Sequence, residues 1–202
     1  IDEIDARADG EIVGVQFTPA TTTLVRVSAD GSSVRALTST SPDTQWAEPR
    51  WSRAGDRIAA TRWTRGGFTE IVVLDSAGRV LRSLVRDHAS ASQPEWAQGD
   101  STIIYASDRT GISQLYAIPV SGALPSIQLT HSSTGVFWPA VSPDGGSIAA
   151  VRWKRDGYHL GVAPLGRAII GPIGGPIAQT RASVDTAPPP ASSSTAPARD
   201  YS

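Results

Sequence analysis

The feature that most constrains the fold is a repeat, because three stretches of the chain match one another at an interval of 45 residues. A fixed period with apolar residues in the same phase is typical of repeat architectures, in which each unit buries its apolar face against its neighbours. We therefore expect a series of similar units. The aligned sets are Pro49, Pro94 and Pro139; Trp51, Trp96 and Val141; Ile58, Ile103 and Ile148; and Val73, Ile118 and Ala163.

Within each unit, short runs of β-branched and apolar residues alternate with glycine-containing turns. The clearest unit predicts strands at Pro49 to Ser52, Arg57 to Trp63, Glu70 to Asp75 and Val80 to Val85. Short strands with turns about every 8–12 residues indicate a sandwich, a barrel or a propeller. A repeat of about 45 residues favours the propeller, in which each blade is a four-stranded sheet.

The units differ in quality along the chain. A weaker copy precedes the three clear ones, with strands predicted at Gly10 to Phe17, Thr22 to Ser28 and Val34 to Thr38. We predict an all-β fold: a partial β-propeller of three clear four-stranded antiparallel blades and one degenerate N-terminal blade. The blades are expected at approximately 1–40, 46–86, 91–131 and 136–165.

The remaining residues, 166–202, change character. They are rich first in Gly, Pro and Ile and then in Ala, Pro, Ser and Thr, with little apolar bulk after Arg181. Such a composition cannot bury enough apolar surface to offset the entropy of ordering the chain. The sequence therefore predicts a disordered linker or tail here.

Composition excludes several classes of function. The net charge is −1 and the only lysine is Lys154, so there is no basic patch for nucleic acid. No cysteine is present to form a disulfide or a thiolate metal site. The run 168–178 is broken by glycines and prolines, and it falls short of the roughly 20 residues of a membrane helix. The absence of methionine indicates a fragment or a processed product.

No catalytic, cofactor or metal site is predicted. The chain has no Gly-x-Ser-x-Gly elbow and no triad-like order of Ser, His and Asp with supporting glycines. The histidines His88, His131 and His159 fall in different strand phases and lack metal-ligand spacing. We expect no enzymatic activity from this chain.

Candidate partner-binding residues come from a repeated phrase. Ile-Ala-Ala-x-Arg-Trp occurs twice, 90 residues apart, and Arg and Trp are common anchors of protein interfaces. The alternative is that an outward arginine covers a half-buried tryptophan. Trp51 and Trp96 are expected to be structural and to wedge between neighbouring blades. With two aromatic residues from adjoining loops, the candidates for partner binding are Arg62, Trp63, Arg152, Trp153, Phe68 and Tyr158.

Three motifs resemble one known repeat family. They are Ser142-Pro143-Asp144-Gly145 before Ser147-Ile148-Ala149-Ala150, Ala29-Asp30-Gly31 leading to Ala36-Leu37-Thr38, and Asp108-Arg109-Thr110-Gly111 before Gln114-Leu115-Tyr116. Together they resemble the WD-like repeat of the TolB-type β-propeller family over roughly residues 10–165. The resemblance implies a bacterial, often periplasmic propeller of typically six blades that serves as a protein-interaction platform.

Three functional hypotheses remain open. The first is a non-catalytic interaction or scaffolding module, periplasmic or associated with the cell envelope, with a protein partner and no cofactor. The second is a gating or substrate-access propeller of a longer hydrolase, peptidase or outer-membrane barrel protein, tethered to domains outside this chain. Such arrangements are implied by related propellers. The third is a closed four-blade propeller that binds a ligand in its central channel.

Overall fold

The computed structural model describes residues 2–97 and 99–165, and within them fifteen strands form four antiparallel sheets. The first sheet contains β1 (Asp2–Ala6), β2 (Ile12–Phe17), β3 (Thr22–Val27) and β4 (Val34–Ala36). The second contains β5 (Thr44–Trp51), β6 (Arg57–Thr64), β7 (Thr69–Asp75) and β8 (Val80–Val85). The third contains β9 (Ala91–Ala97), β10 (Thr102–Ser107), β11 (Gln114–Pro119) and β12 (Ile127–Gln128). The fourth contains β13 (Val136–Val141), β14 (Ser147–Lys154) and β15 (Gly157–Pro164).

Each strand pairs with the next strand along the chain, so every sheet is a meander. No helix occurs in the described parts of the chain. The predicted fold class, an all-β partial propeller, is confirmed. The predicted tail, 166–202, lies outside the described residues.

The N-terminal unit is more regular than its sequence indicates. Its first strand, β1, has a poor apolar pattern, yet it pairs with β2 and completes a four-stranded sheet. Backbone pairing explains the difference, because a strand can be held by its ladder without alternating hydrophobic residues.

The sheets pack face to face in chain order, with the first strand of each sheet innermost. β1 contacts β5, β5 contacts β9, and β9 contacts β13. Three apolar clusters fill the spaces between successive sheets. Each sheet therefore buries its apolar faces against its neighbours, as expected of propeller blades.

The prediction that two tryptophans wedge between blades is confirmed. Trp51 packs against the first sheet and Trp96 against the second, and each side chain is only 6% exposed. An arginine from the preceding sheet covers each ring, with Arg7 at 5.2 Å from the centroid of Trp51 and Arg57 at 5.0 Å from that of Trp96. These cation–π contacts add to the packing between neighbouring sheets.

One predicted alignment is wrong by a residue. Cross-strand pairing places Ile58 opposite Leu74, whereas Ile103 lies opposite Ile118 and Ile148 opposite Ala163. Leu74, and not Val73, is therefore the equivalent of Ile118. The hairpin between β6 and β7 is one residue longer than its counterparts, and a one-residue shift exchanges the two faces of a strand.

Candidate functional site

A hydrogen-bonded ladder runs along the innermost strands. Glu3, Glu48, Gln93 and Trp138 lie 45 residues apart, and all have positive φ, between 47° and 58°. The N–H of Glu48 donates to Oε2 of Glu3 at 2.8 Å, and the N–H of Gln93 donates to Oε2 of Glu48 at 2.6 Å. The N–H of Trp138 donates to Oε1 of Gln93 at 2.8 Å. Each sheet thus holds the next through one side chain.

The ladder depends on a bulge in every inner strand. The pairing of β5 with β6 shifts between Ala47 and Arg50, and the other inner strands shift at corresponding positions. A non-glycine residue with positive φ is strained by about 1–3 kcal/mol, so it persists only where its surroundings fix it. For Glu48, Gln93 and Trp138, the bond from the preceding sheet supplies that constraint. The side chain of Trp138 differs from the others in the ladder, because an indole has no hydrogen-bond acceptor.

A second layer of equivalent residues carries charge. Asp5, Arg50 and Glu95 also lie 45 residues apart, one on each of the first three inner strands. Oδ2 of Asp5 accepts the N–H of Trp51 at 2.7 Å, and Nε of Arg50 lies 3.8 Å from Oε2 of Glu95. Burial raises the pKa of Glu95 to about 7, with a smaller contribution from Asp5, although Arg50 acts in the opposite direction. Glu95 is therefore a largely buried carboxyl with a distant cationic partner.

These charged residues line an open cavity of about 680 Å³. We name it the axial cavity, since it lies where the inner strands of all four sheets end and their following turns begin. Its charged lining comprises Asp5, Arg7, Arg50, Arg53, Glu95, Asp100 and Asp144. The mixture of signs in one concave site suits a polar or charged segment of a partner.

Asp100 has a structural task at the edge of this cavity. Its carboxylate oxygens accept the backbone N–H groups of Arg53 at 3.0 Å and Ala54 at 2.9 Å, and its carbonyl accepts Nη2 of Arg57 at 3.1 Å. Its φ of 65° matches that of Gly55, the equivalent residue in the second sheet. Asp100 therefore fastens the turn of one sheet to the turn of the next.

A second exposed feature lies at the opposite end of the fourth sheet. Phe137, Trp138, Trp153 and Tyr158 form a continuous chain of ring contacts, which we name the aromatic patch. The Tyr158 centroid lies 4.9 Å from that of Trp153 and 5.9 Å from that of Trp138, with the planes at 71° and 60°. Trp138, Trp153 and Tyr158 are 51%, 42% and 63% exposed. Large aromatic residues clustered at the surface are typical of binding sites.

The structure brings together only part of the predicted partner-binding set. Trp153 and Tyr158 are directly opposite each other on β14 and β15, and Arg152 adjoins them with its Nε buried and unpaired among the described residues. Trp138 and Phe137 were missed by the sequence analysis. The available signal was Trp138 itself, an aromatic residue at the 45-residue position that elsewhere holds Glu or Gln.

The other three candidates lie on the second sheet, with the third sheet between them and the aromatic patch. Arg62 binds Oε1 of the buried Glu70 at 2.8 Å, and its guanidinium lies 5.6 Å from the ring of Trp46. Trp63 is half-buried beside a small cleft, and Phe68 is exposed with its ring against His88. These three therefore do not share a surface with Trp153.

Over 2–97 and 99–165, no three His, Cys, Asp or Glu side chains converge in a way that could hold a metal ion. Within the same ranges, no helix has the length and apolar character needed to cross a membrane.

Solved structures share this arrangement of sheets. A protein described as TolB from Agrobacterium tumefaciens superposes with a TM-score of 0.71 at 18% identity, over 81% of this chain and 61% of that one. TolB from Acinetobacter baumannii gives 0.64 at 22% identity, over 77% and 38%. A puromycin-hydrolyzing peptidase from Mycobacterium tuberculosis gives 0.59 at 18% identity, over 79% and 29%.

The chain spans less than two thirds of the length of each of these relatives. The likeness therefore concerns the propeller architecture. A family model, the TolB β-propeller domain, matches residues 9–168, a range that includes every described strand except β1. With the repeat, the inner-strand ladder and the blade-to-blade packing, this match leads to one conclusion: the chain belongs to the TolB β-propeller domain family.

Proposed function

We propose that the chain is a non-catalytic protein-interaction module that receives a segment of a partner protein in the axial cavity. In this proposal each sheet is one blade, with the approximate bounds 1–40, 46–86, 91–131 and 136–165. Kinship with TolB supports a periplasmic or cell-envelope location. Fractionation of the native host, with antibody detection of the chain, tests that location.

One observation carries the binding proposal: Glu95 lines the axial cavity, is largely buried, and has a long ion-pair contact with Arg50. Its carboxylate is 3.8 Å from Arg50, and burial raises its pKa to about 7. A lysine or arginine side chain entering the cavity would supply a short ion pair and would favour the charged carboxylate. The preferred partner segment is therefore basic.

The test combines site-directed crosslinking with charge substitution. A photoreactive amino acid at Arg53, on the cavity wall, is compared with one at Ser121, in the turn after β11. We expect a discrete protein adduct from envelope extract only at Arg53, and several-fold less of it in Glu95→Gln. Equal labelling from both positions, or no effect of Glu95→Gln, would contradict the proposal.

A second candidate function has specific support from the comparisons. The chain resembles the puromycin-hydrolyzing peptidase over 29% of that protein's length and a prolyl endopeptidase over 28%. Under this candidate, the sheets control access to a hydrolase domain elsewhere in a longer protein. In a related arrangement, the longer protein carries an outer-membrane barrel in place of the hydrolase domain. The mass of the native protein on an immunoblot separates these arrangements from a free-standing module.

A further inference from the structure

A groove lies at the junction of the second and third sheets, beside their outer strands and away from the inner strands. It has a volume of about 430 Å³, and its walls are the end of β8 with the residues that follow it and the loop 122–126 of the third sheet. Its apolar floor includes Val85 and Ile118, which belong to the cluster buried between these two sheets. Both sheets have a neighbouring sheet on each face, so the groove is a feature of a complete junction.

A chain of hydrogen bonds leads into this groove from a buried pair of tyrosines. Nη2 of Arg109 donates to the hydroxyl of Tyr105 at 2.6 Å, and that hydroxyl donates to Oγ of Ser126 at 2.7 Å. Arg109 is held in place because its Cζ lies 4.4 Å from the ring centroid of Tyr116 and its Nη2 lies 3.1 Å from Oδ2 of Asp87. Since Ser126 accepts the last bond of the chain, its own hydroxyl hydrogen is left to donate into the groove.

Two further arginines stand at the groove, and neither has a carboxylate partner among the residues that the structure describes. Arg86 lines the groove directly. Arg82 lies opposite Val73, on the face of β8 toward the third sheet, and a Cβ built on Gly122 would meet its Nη1 at 3.2 Å. The groove therefore holds three guanidinium groups against the single carboxylate of Asp87. Such an excess of positive charge in a concave site attracts anions.

The side-chain groups that this groove leaves to a ligand are donors, namely those of Arg82, Arg86 and Ser126. A carboxylate only accepts hydrogen bonds, and it forms short charge-assisted bonds with guanidinium groups. The two arginines are four residues apart, which is roughly 13 Å along an extended strand. Two acidic side chains of one extended segment span that distance, whereas a single small anion does not. Apolar residues between them would meet the floor of the groove and the exposed Leu124.

The equivalent positions in the neighbouring sheets lack this chemistry. In place of Tyr105 and Arg109, the second sheet has Ala60 and Thr64, and the fourth sheet has Ala150 and Lys154. The other junctions pack without a buried tyrosine or an arginine at these positions. Blade packing therefore does not account for the hydrogen-bond chain that ends at the groove.

We propose that this groove binds an extended acidic segment of a partner protein, with carboxylates on Arg82 and Arg86 and a further acceptor on the hydroxyl of Ser126. The groove is separate from the axial cavity and selects the opposite charge, so the proposal does not depend on the function proposed above. An isolated segment with two exposed ion pairs is expected to bind with a dissociation constant on the order of 1 mM. Such binding is too weak to give a discrete crosslinked adduct from a dilute extract at the nearby Ser121.

The test is an NMR titration of the full chain with two blocked synthetic peptides, at about 0.15 M salt. The first peptide, Glu-Leu-Ser-Leu-Glu, carries two carboxylates four residues apart, and the matched peptide, Gln-Leu-Ser-Leu-Gln, is neutral. We expect the acidic peptide to move the amide signals of Gly122, Leu124 and Ser126, and to leave that of Gly31 in the first sheet in place. The neutral peptide should move none of these signals.

Substitutions then locate the binding. Arg86→Gln and Ser126→Ala should each weaken it roughly threefold to fivefold, as expected for the loss of one exposed charged contact. Arg35→Gln, which removes an exposed arginine of the first sheet, should weaken it by less than about 1.5-fold because salt screens distant charges. Equal weakening by Arg35→Gln and Arg86→Gln would overturn the proposal, as would equal binding of the two peptides or unmoved signals up to about 5 mM acidic peptide. Inorganic phosphate that moves the groove signals at lower concentration than the acidic peptide would assign a small-anion site and overturn the proposed segment.

Discussion

The carboxylate of Glu48 accepts the backbone N–H of Gln93 at 2.6 Å, and the same oxygen accepts the hydroxyl of Thr61 at 2.7 Å. One side chain thus joins its own sheet to the next sheet. It also supports two residues, Glu48 and Gln93, whose φ angles are positive. The first prediction concerns the loss of this acceptor.

Glu48→Ala should lower the free energy of unfolding by about 2–3 kcal/mol, because it leaves the N–H of Gln93 and the hydroxyl of Thr61 without an acceptor. Glu48→Gln keeps a side-chain oxygen at the same position and should stay within about 1 kcal/mol of the wild type. Urea unfolding measures both variants. Equal losses of unfolding free energy in the two variants would show that the side-chain oxygen of Glu48 is not the cause of the destabilisation.

The second prediction concerns the pH dependence of stability set by Glu95. Its ordinary pKa of 4.5 is raised to about 7 in the folded protein, so the folded state favours the protonated carboxyl. That contribution is fully present below pH 4.5 and is lost as the pH rises to about 7. Glu95→Gln, which stays neutral, should therefore melt above the wild type at pH 8 and near it at pH 4. A difference in melting temperature that is the same at both pH values would contradict this assignment.

The third prediction compares two equivalent tryptophans. Nε1 of Trp96 donates to the carbonyl of Arg50 at 2.9 Å, whereas Nε1 of Trp51 is buried without a partner among the described residues. Trp96→Phe removes a hydrogen bond, whereas Trp51→Phe removes an unsatisfied donor. Trp96→Phe should therefore be more destabilising than Trp51→Phe by about 1–2 kcal/mol. The two variants control each other in chemical denaturation, and a reversed order would refute the argument.

The fourth prediction concerns Asp100, whose two carboxylate oxygens hold the N–H groups of Arg53 and Ala54. Asp100→Ala should lose about 2–3 kcal/mol, since both donors become unpaired and alanine disfavours the φ of 65°. Asp100→Gly removes only the carboxylate bonds and should lose less. Thermal unfolding distinguishes the two, and a glycine variant that is no more stable than the alanine variant would show that φ plays no part.

The middle strands of each unit could be predicted closely from sequence. The predicted strand at Arg57 to Trp63 differs from β6 by one residue, because its buried apolar run and glycine-containing turns are local signals. The inner strands were predicted too short; β5 begins at Thr44, five residues before the predicted Pro49. Their bulges and axis-facing polar residues interrupt the apolar alternation on which strand prediction depends.

The candidate site was less predictable than the fold. Trp153 and Tyr158 were identified from a repeated phrase and a loop position, and the β14–β15 register places them together. Trp138 joins their surface because the inner strand has a bulge at this position, as it does in every sheet. No local pattern in the sequence reveals that bulge. Glu95 was not predicted either, because its burial depends on three neighbouring sheets and not on its own segment.

The inner-strand ladder has a direction: at each of its three steps the earlier sheet provides the side-chain acceptor and the later sheet the backbone donor. Removal of one side-chain oxygen therefore releases an N–H group of the following sheet, while the N–H group of the altered residue stays paired with the sheet before it. Damage at one inner strand is thus passed toward the carboxyl end and not toward the amino end.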